Sequence, residues 1–279
     1  MNYSHAFHAG NFADVVKHAV LVRILVHLAK KPTPFRVIDT HAGAGLYDLG
    51  GDEATRTGEW REGVGRLGAI DAGSDAGALL APYRALIEPD ITALRYPGSP
   101  VIAQRLLRAS DRAIFCETQA PVRQRLSQAL GRDRRTKVLD LDGWTALGAF
   151  VPPPERRGVV LVDPPFEAPD EFARMAAGFA TAFAKWRTGI YALWYPVKSF
   201  ERRDAFMAAL EPTGAALLRI EFGIASVYPD GRLTRTGLIV ANAPFRLADE
   251  MRVILPGLAA VLGRPGEAQW SVDAMGAPA

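Results

Sequence analysis

Five short apolar runs separated by helical stretches constrain the fold of this chain more than any other feature. They are residues 35–39, 112–117, 136–140, 158–163 and 189–195. Runs that are apolar throughout are typical of strands buried on both faces. The segments between them, such as residues 120–130 and 170–183, space their apolar residues as helices do. The alternation predicts an α/β fold with a mostly parallel sheet and helices on both faces.

The two ends of the chain add further elements to this sheet. Residues 14–28 have helical spacing, and the proline-rich segment that follows ends the helix. Residues 216–222 and 237–241 predict an antiparallel hairpin at the sheet edge, because a Pro-Asp-Gly turn signal lies between them. Residues 247–262 form an amphipathic pattern that predicts a helix with a break at Pro256.

Residues 46–96 interrupt the alternation. This stretch is rich in Gly, Ala and charge, with a helical fragment at residues 78–87. We predict a small inserted helical subdomain at 46–96, with residues 1–45 and 97–279 forming the main domain. Because the insertion leaves the carboxyl end of the first strand, it should overhang a site at that edge.

Acidic residues follow the strands of the predicted sheet. Asp39 ends the first strand, Glu117 the second, Asp142-Gly143 follows the third and Asp163 ends the fourth. Ligands bind at the carboxyl ends of such strands. Glu117 can accept hydrogen bonds from ribose hydroxyls and Asp142 from an adenine amine. Together they predict a nucleoside cofactor; singly, a solvated carboxylate or a helix N-cap explains each.

A glycine loop follows the first strand, with Gly43 and Gly45 two positions apart. A dinucleotide fingerprint also requires a third glycine three positions later, where this chain has Asp48. A nicotinamide dehydrogenase is therefore disfavoured. The two glycines alone are weak evidence for a ligand, because a tight strand-to-helix turn explains them equally well.

The Asp163-Pro164-Pro165-Phe166 segment carries the most specific chemistry. The amine of adenine has its lone pair delocalised into the ring, so it reacts as a nucleophile only when two acceptors draw it toward tetrahedral geometry. Asp163 and the Pro164 carbonyl can supply these acceptors, and Phe166 a face on which the base stacks. A rigid Asp-Pro-Pro loop without chemistry is the alternative.

Several segments together resemble the bacterial large-subunit ribosomal RNA adenine-N6 methyltransferase J family. They are YSHAFHAGNFADVVKH (residues 3–18), DTHAGAG (39–45), YPGSP (96–100), DPPF (163–166) and YALWYP (191–196). The resemblance covers nearly the whole chain and implies a class I, Rossmann-like methyltransferase fold, S-adenosylmethionine as cofactor and one adenine of 23S ribosomal RNA as substrate. One departure is Phe166, where the family motif often has Tyr.

The resemblance also implies roles for individual residues. It assigns Asp163, with Pro164 and Phe166, to catalysis and Tyr3 to RNA contact, with Lys17 as a weaker candidate for the same contact. The residues it assigns to the cofactor are His18, His41, Ser99, Glu117, Asp142, Gly143 and Asp163. From its own context, His18 reads as a structural histidine and Tyr3 as a terminal packing residue.

Charge and composition narrow the partners. A net charge of +3 permits a polyanionic partner without requiring one. Arg132, Arg134, Arg135, Arg156 and Arg157 precede strands, which places them at the amino edge, and we interpret them as solvated surface. Basic residues near the carboxyl edge, such as Lys198 and Arg232, are candidates for phosphate contacts.

A single cysteine and histidines without ligand spacing predict no metal site. No apolar run approaches the ~20 residues of a membrane span, and residues 1–11 have no apolar signal-peptide core, so we expect a cytoplasmic protein without membrane contact. We also expect a monomer. Two other functions remain open: an adenine-N6 DNA methyltransferase and a non-catalytic RNA-binding assembly factor.

Overall fold

A computed structural model describes residues 4–226 and 232–276 of the chain. Its strands are β1 (Arg36–Asp39), β2 (Leu46–Asp48), β3 (Arg95–Pro97), β4 (Arg112–Cys116), β5 (Thr136–Leu139), β6 (Gly158–Val162), β7 (Ile190–Pro196), β8 (Leu217–Gly223), β9 (Arg235–Ala241) and β10 (Gln269–Met275). Its helices are α1 (Phe12–Ala29), α2 (Asp52–Thr57), α3 (Glu59–Glu62), α4 (Asp75–Thr92), α5 (Ser99–Leu106), α6 (Ala120–Leu130), α7 (Gly143–Ala149), α8 (Glu171–Lys185), α9 (Phe200–Leu210) and α10 (Leu247–Leu262).

The main sheet confirms the predicted α/β class. Its strand order is β10-β8-β9-β7-β6-β1-β4-β5. Strands β7, β6, β1, β4 and β5 run parallel, while β9, β8 and β10 join them as antiparallel neighbours. The predicted hairpin is the pair β8 and β9, but β8 is not the edge strand, because β10 pairs along its outer side.

Alternate side chains of the central strands belong to two separate hydrophobic clusters. Val37 and Val159 pack with α1 and α10, whereas Ile38 and Val160 pack with α8 and α9 on the other side. Successive side chains of a strand point to opposite faces, so a strand covered by helices on both sides is apolar throughout. This burial on both faces explains why the central strands are continuous apolar runs in the sequence.

The predicted break at Pro256 is wrong, because α10 continues through it to Leu262. Pro256 lies on the exposed face, where water can satisfy the backbone carbonyl that loses its partner. Ile254, Leu255 and Leu258 are fully buried and hold the helix against the sheet on both sides of the proline.

The stretch between β1 and α5 is mainly helical, as expected, and the short ribbon of β2 and β3 closes its base. Its long helix α4 extends beyond the predicted fragment at both ends. Leu80 and Tyr83 of α4 share one hydrophobic cluster with Leu25 of α1 and Leu258 of α10. The division into domains stays a prediction, and this stretch packs into the same core as the main sheet.

Candidate active site

Strand register brings the strand-end residues to one edge of the sheet. Asp39 pairs with Leu161 of β6 and with Phe115 of β4, and Cys116 pairs with Leu139 of β5. The residues that follow these strands therefore meet around one cavity of about 820 Å³. Its lining includes His18, His41, Ser99, Glu117, Asp142, Gly143, Lys17, Asp163, Pro164 and Phe166. Tyr3 lies outside the described residues.

A chain of ion pairs ends at Asp163. Lys17 Nζ lies 2.6 Å from Asp163 Oδ2 and 2.8 Å from Asp14 Oδ1. Asp14 Oδ2 lies 2.9 Å from His5 Nε2 and accepts from the Gly10 N–H at 2.9 Å. Helix α1 thus supplies Lys17, the partner of Asp163, and also Asp14, the second carboxylate that Lys17 contacts, because the two residues are three positions apart on one face of the helix.

Burial and ion pairing determine the charge states of Asp14 and Lys17. Burial acts to raise the pKa of Asp14, but His5 and Lys17 outweigh it and hold the pKa well below its ordinary value. Burial acts to lower the pKa of Lys17, but Asp14 and Asp163 raise it well above the ordinary value. Lys17 is therefore a permanent cation beside Asp163.

The loop after Asp163 presents an aromatic ring to the cavity. Phe166 has a φ of 52°, a left-handed conformation that non-glycine residues rarely adopt. Its ring packs 4.8 Å from that of Phe172 and 5.8 Å from that of Trp194. Unusual backbone conformations persist where surrounding contacts over-determine them, which is common in binding sites. Pro164 is buried beneath this turn.

Glu117 is held by backbone donors on both sides. The Gly43 N–H donates to Oε2 at 3.2 Å, and the Gln119 N–H donates to Oε1 at 2.8 Å. Gly43 has a φ of 64°, and a Cβ atom there would overlap the Tyr47 hydroxyl. Each carboxylate oxygen retains capacity for another hydrogen bond, so Glu117 fits the predicted role toward ribose hydroxyls.

Asp142 is the N-cap of α7, where its Oδ2 accepts from the Thr145 N–H at 2.9 Å. It also lines the cavity, so the cap and the predicted cofactor contact are compatible. Gly143 has a packing reason besides the predicted one. A Cβ atom there would overlap the Thr40 carbonyl oxygen and lie 2.6 Å from the His41 ring.

Ser99 and His41 both line the cavity and both donate to Asp39, Ser99 through its hydroxyl and His41 through its backbone N–H. The Ser99 hydroxyl donates to Asp39 Oδ2 at 2.6 Å, and burial raises the pKa of Asp39 to about 7 although this hydrogen bond opposes the shift. The His41 ring lies 5.1 Å from the Trp144 ring, and burial lowers the pKa of His41 to about 4. His41 is therefore neutral near pH 7.

Two buried nitrogen atoms of cavity-lining residues have no protein partner in the described part of the chain. They are His18 Nε2 and Trp194 Nε1. The other ring nitrogen of His18 lies 2.5 Å from the Tyr96 hydroxyl, and burial lowers the pKa of His18 to about 3. An unpaired buried polar atom is costly, and beside a cavity a ligand can supply the missing partner. The residues present therefore fit the predicted S-adenosylmethionine.

Lys17 is buried, unlike a surface lysine that binds RNA phosphates. Its side chain is 5% exposed and its ammonium lies between two carboxylates. A direct role toward RNA phosphates stays a prediction, whereas the observed contact is with Asp163. Asp14 was not among the predicted site residues, although its i,i+3 spacing to Lys17 on a predicted helix is a signal that the two side chains meet.

The cavity mouth joins two kinds of charge. Glu53 and Glu59, from the stretch between β1 and α5, line the cavity. Glu59 accepts from the Asn11 side chain at 3.0 Å and contacts His8. Lys198, beyond β7, and Arg232, before β9, also line the cavity, and each is close enough to act electrostatically on this pair, Lys198 on His8 and Arg232 on Glu59. Both basic residues were predicted candidates for phosphate contact.

Comparisons with known proteins agree with this geometry. The chain matches the family model described as RsmJ, "Ribosomal RNA large subunit methyltransferase D, RlmJ", over residues 32–275. It is 39% identical to Ribosomal RNA large subunit methyltransferase J of Escherichia coli K12, over 92% of each chain. It is 36% identical to the protein of the same name from Haemophilus influenzae, over 98% of each chain.

A solved structure has the same fold. The crystal structure of protein LPL1258 from Legionella pneumophila superposes with a TM-score of 0.88 at 30% identity, covering 95% of this chain and 98% of that one. Among the described residues, no helix combines the length and apolar character that crossing a bilayer requires.

Proposed function

Because this chain belongs to the RsmJ/RlmJ family of large-subunit ribosomal RNA methyltransferases, we propose that it methylates N6 of one adenine in 23S ribosomal RNA. The observation that carries the proposal is a convergence. Glu117, Asp142 and the Asp163–Phe166 segment, which are far apart in sequence, line one cavity at the carboxyl edge of the sheet. This edge is where parallel sheets bind nucleoside ligands.

S-adenosylmethionine, when bound, supplies a methyl group on a positively charged sulfur. Glu117, Asp142 and Gly143 would hold its nucleoside, while His18, His41 and Ser99 would contact the rest of the molecule. The unpaired Nε2 of His18 gains a partner in this arrangement. The protein's contribution to the transfer is alignment of the methyl donor with the base.

Asp163 and Pro164 act on the target amine. The Pro164 carbonyl and the Oδ1 atom of Asp163 each accept a hydrogen bond from one of its two N–H groups. These bonds draw the nitrogen lone pair out of conjugation with the ring. In the structure Lys17 donates to Oδ2, so Oδ1 is the oxygen available for this contact. The negative charge of Asp163 lies beside the amine and stabilises positive charge as it develops on N6.

The proton leaves N6 after methylation. Asp163 Oδ1 accepts it and releases it to solvent through the cavity mouth. Phe166 stacks on the base, which must be unpaired or extruded from its helix to enter the cavity. The expected monomeric state and cytoplasmic location stay predictions.

The test is transfer from labelled S-adenosylmethionine to protein-free 23S RNA, followed by nucleoside analysis. We expect label in N6-methyladenosine with the wild type and a loss of about 10²- to 10⁴-fold in Asp163→Asn. A matched control is Asp140→Asn, which replaces a strand-end carboxylate that is 66% exposed and paired with Arg123. Cofactor binding, measured by calorimetry, should be unchanged in Asp140→Asn. In Asp163→Asn it should weaken far less than transfer does, because Glu117, Asp142 and the other predicted cofactor contacts remain.

Duplex DNA is assayed in parallel. Label in DNA alone, or in a nucleoside other than N6-methyladenosine, would contradict the proposed substrate. Equal activity of Asp163→Asn and Asp140→Asn would contradict the catalytic assignment of Asp163.

A further inference from the structure

A second cavity, of about 460 Å³, lies at the amino edge of the sheet, opposite the candidate active site. It is bordered by the starts of β6 and β7, the end of β9 and the end of α1. Its lining residues are His27, Leu28, Lys31, Arg156, Arg157, Gly158, Thr188, Ile190, Asn242, Ala243, Pro244 and Phe245. The set contains three permanent cations and no carboxylate.

The cations divide into structural and available ones. Arg157 donates to the Thr33 carbonyl at 2.8 Å and to the Leu28 carbonyl at 2.5 Å, so it builds the wall. Lys31 and Arg156 are exposed, and within residues 4–226 and 232–276 no carboxylate forms an ion pair with either. From the sequence we interpreted Arg156 as solvated surface. In the structure it borders a concave site whose lining contains no carboxylate, so it is available to an anionic partner.

The neighbouring charges make this cavity electropositive. Burial lowers the pKa of His27, and Lys30, Arg157 and Lys31 lower it further by repulsion of the protonated form. Glu250 is the one carboxylate acting in the opposite direction. It is already bound through both oxygens to Arg23, at 2.9 and 2.7 Å.

An exposed aromatic ring stands beside these cations. Phe245 is 83% exposed, and its ring meets that of His27 edge to face at 6.3 Å. Its loop is fixed, because Pro244 is buried and the Asn242 side chain donates to the Arg187 and Gly189 carbonyls at 2.7 Å each. A ring held out to water on a rigid loop is a platform for a stacking partner.

Cations that follow a backbone, together with an aromatic face for a base, are the components of single-stranded nucleic acid sites. We propose that this cavity binds a single-stranded segment of the RNA substrate, distant from the target base. Lys31 and Arg156 contact phosphates and Phe245 stacks on one base. The inference rests on the proposed function for the identity of the RNA.

The test compares Lys31→Ala/Arg156→Ala with Arg132→Ala/Arg134→Ala. Arg132 and Arg134 are a matched control, because they are exposed, also precede a strand at the amino edge and form no ion pair in the described part of the chain. Filter binding to protein-free 23S RNA is measured over a salt series. We expect the first variant to bind about 3- to 10-fold more weakly at low salt, with a salt slope smaller by about 1.4.

Stacking is tested separately at Phe245. We expect Phe245→Ala and Phe245→Leu to weaken RNA binding about fivefold, and Phe245→Tyr to bind as the wild type does. A decauridylate probe should compete for wild-type binding and compete less for the Lys31→Ala/Arg156→Ala variant. Calorimetric cofactor affinity should be the same in every variant, because the two cavities lie at opposite edges.

Binding needs no methyl transfer, so the two proposals fail separately. Equal RNA affinity of Lys31→Ala/Arg156→Ala and its control would overturn the inference and leave the proposed function intact. Equal weakening of Phe245→Tyr and Phe245→Leu would overturn the stacking. Intact wild-type binding without transfer to 23S RNA would contradict the proposed function alone.

Discussion

Two strand-end carboxylates at opposite edges of the sheet have opposite surroundings. Asp111, just before β4, is fully buried and accepts from the Phe35 N–H at 3.1 Å, the Arg108 N–H at 2.8 Å and the Arg108 guanidinium. Burial acts to raise the pKa of Asp111, but Arg108 and the backbone donors lower it. Asp163, just after β6, accepts in the described part of the chain only from Lys17 and faces the cavity.

The difference separates a structural carboxylate from a chemical one. Both oxygens of Asp111 are occupied, three times by Arg108 in the turn before β4 and once by the Phe35 N–H just before β1. Asp163 has one oxygen engaged by a cation and the other directed to a ligand space. A shifted pKa alone therefore does not identify a functional carboxylate. A carboxylate oxygen that faces a cavity and can still accept a hydrogen bond is the better indication.

The largest effect should follow removal of Lys17, which neutralises Asp14 and Asp163 together. We expect Lys17→Met to lower the free energy of unfolding by about 3–5 kcal/mol, because it leaves two carboxylates without their shared cation. Lys137→Met, at an exposed lysine of β5, should change it by less than about 0.5 kcal/mol. Denaturant titration measures both. Equal effects would show that the Lys17 ion pairs add nothing to stability.

Asp111 should affect stability without affecting chemistry. We expect Asp111→Ala to cost about 2–3 kcal/mol, because the buried Phe35 N–H loses its acceptor. Activity per folded molecule should be unchanged at a temperature where the variant remains folded. Asp204→Ala, which removes a 61% exposed partner of Arg203, is the control and should cost under about 1 kcal/mol. A selective loss of activity in Asp111→Ala would break the comparison.

The packing at Gly143 should be sensitive to a single methyl group. We expect Gly143→Ala to cost about 1–3 kcal/mol, because the Cβ atom overlaps the Thr40 carbonyl oxygen and the His41 ring. Gly68→Ala is the control, since nothing lies within 4 Å of a Cβ atom there. Thermal unfolding distinguishes them. A neutral Gly143→Ala with weakened cofactor binding would instead assign this glycine to ligand access alone.

The smallest effect concerns pH. His18 is neutral in the folded protein, with its pKa lowered to about 3, whereas the unfolded residue takes a proton below about pH 6.5. Stability from His18 is therefore present above pH 6.5 and is lost as pH falls toward 3. Between pH 6 and 4 the free energy of unfolding should fall less steeply with falling pH in His18→Gln than in the wild type. The two slopes should differ by at most about 1.4 kcal/mol per pH unit.

The matched variant for the amino edge is His27→Gln. His27 is only partly buried and its pKa is lowered less, so its replacement should change the slope less than that of His18. Asp39, with a pKa of about 7, contributes a slope of opposite sign over this range. That contribution is common to both variants and cancels in the comparison. Equal slopes for the two variants would contradict the burial-based assignment.

The sequence predicted the elements that local pattern specifies. Strands β1, β4, β5, β6 and β7 were found within one or two residues. Burial on both faces makes β1, β4, β6 and β7 apolar runs, whereas β5 is an edge strand without a buried residue. Strand β10 was missed, because only Val272 of its residues is buried. An edge strand takes its hydrogen bonds from a neighbour and needs no apolar pattern of its own.

The site was predictable as far as strand ends reveal it. Glu117, Asp142 and Asp163 follow parallel strands, so their convergence follows from sheet geometry alone. The partners of these residues were not predictable in this way. Lys17 and Asp163 are 146 positions apart, and the ion pair depends on how α1 crosses the sheet.

The sequence by itself therefore determined the five parallel strands, the helices that alternate with them and the family to which the chain belongs, because periodicity and short motifs are local properties. Tertiary structure decided which charges pair, which polar atoms stay unpaired and which basic residues border a concave surface. These outcomes depend on distances between segments remote along the chain. Continuation of α10 through Pro256 is the same kind of outcome, since burial on either side of the proline outweighs its local preference.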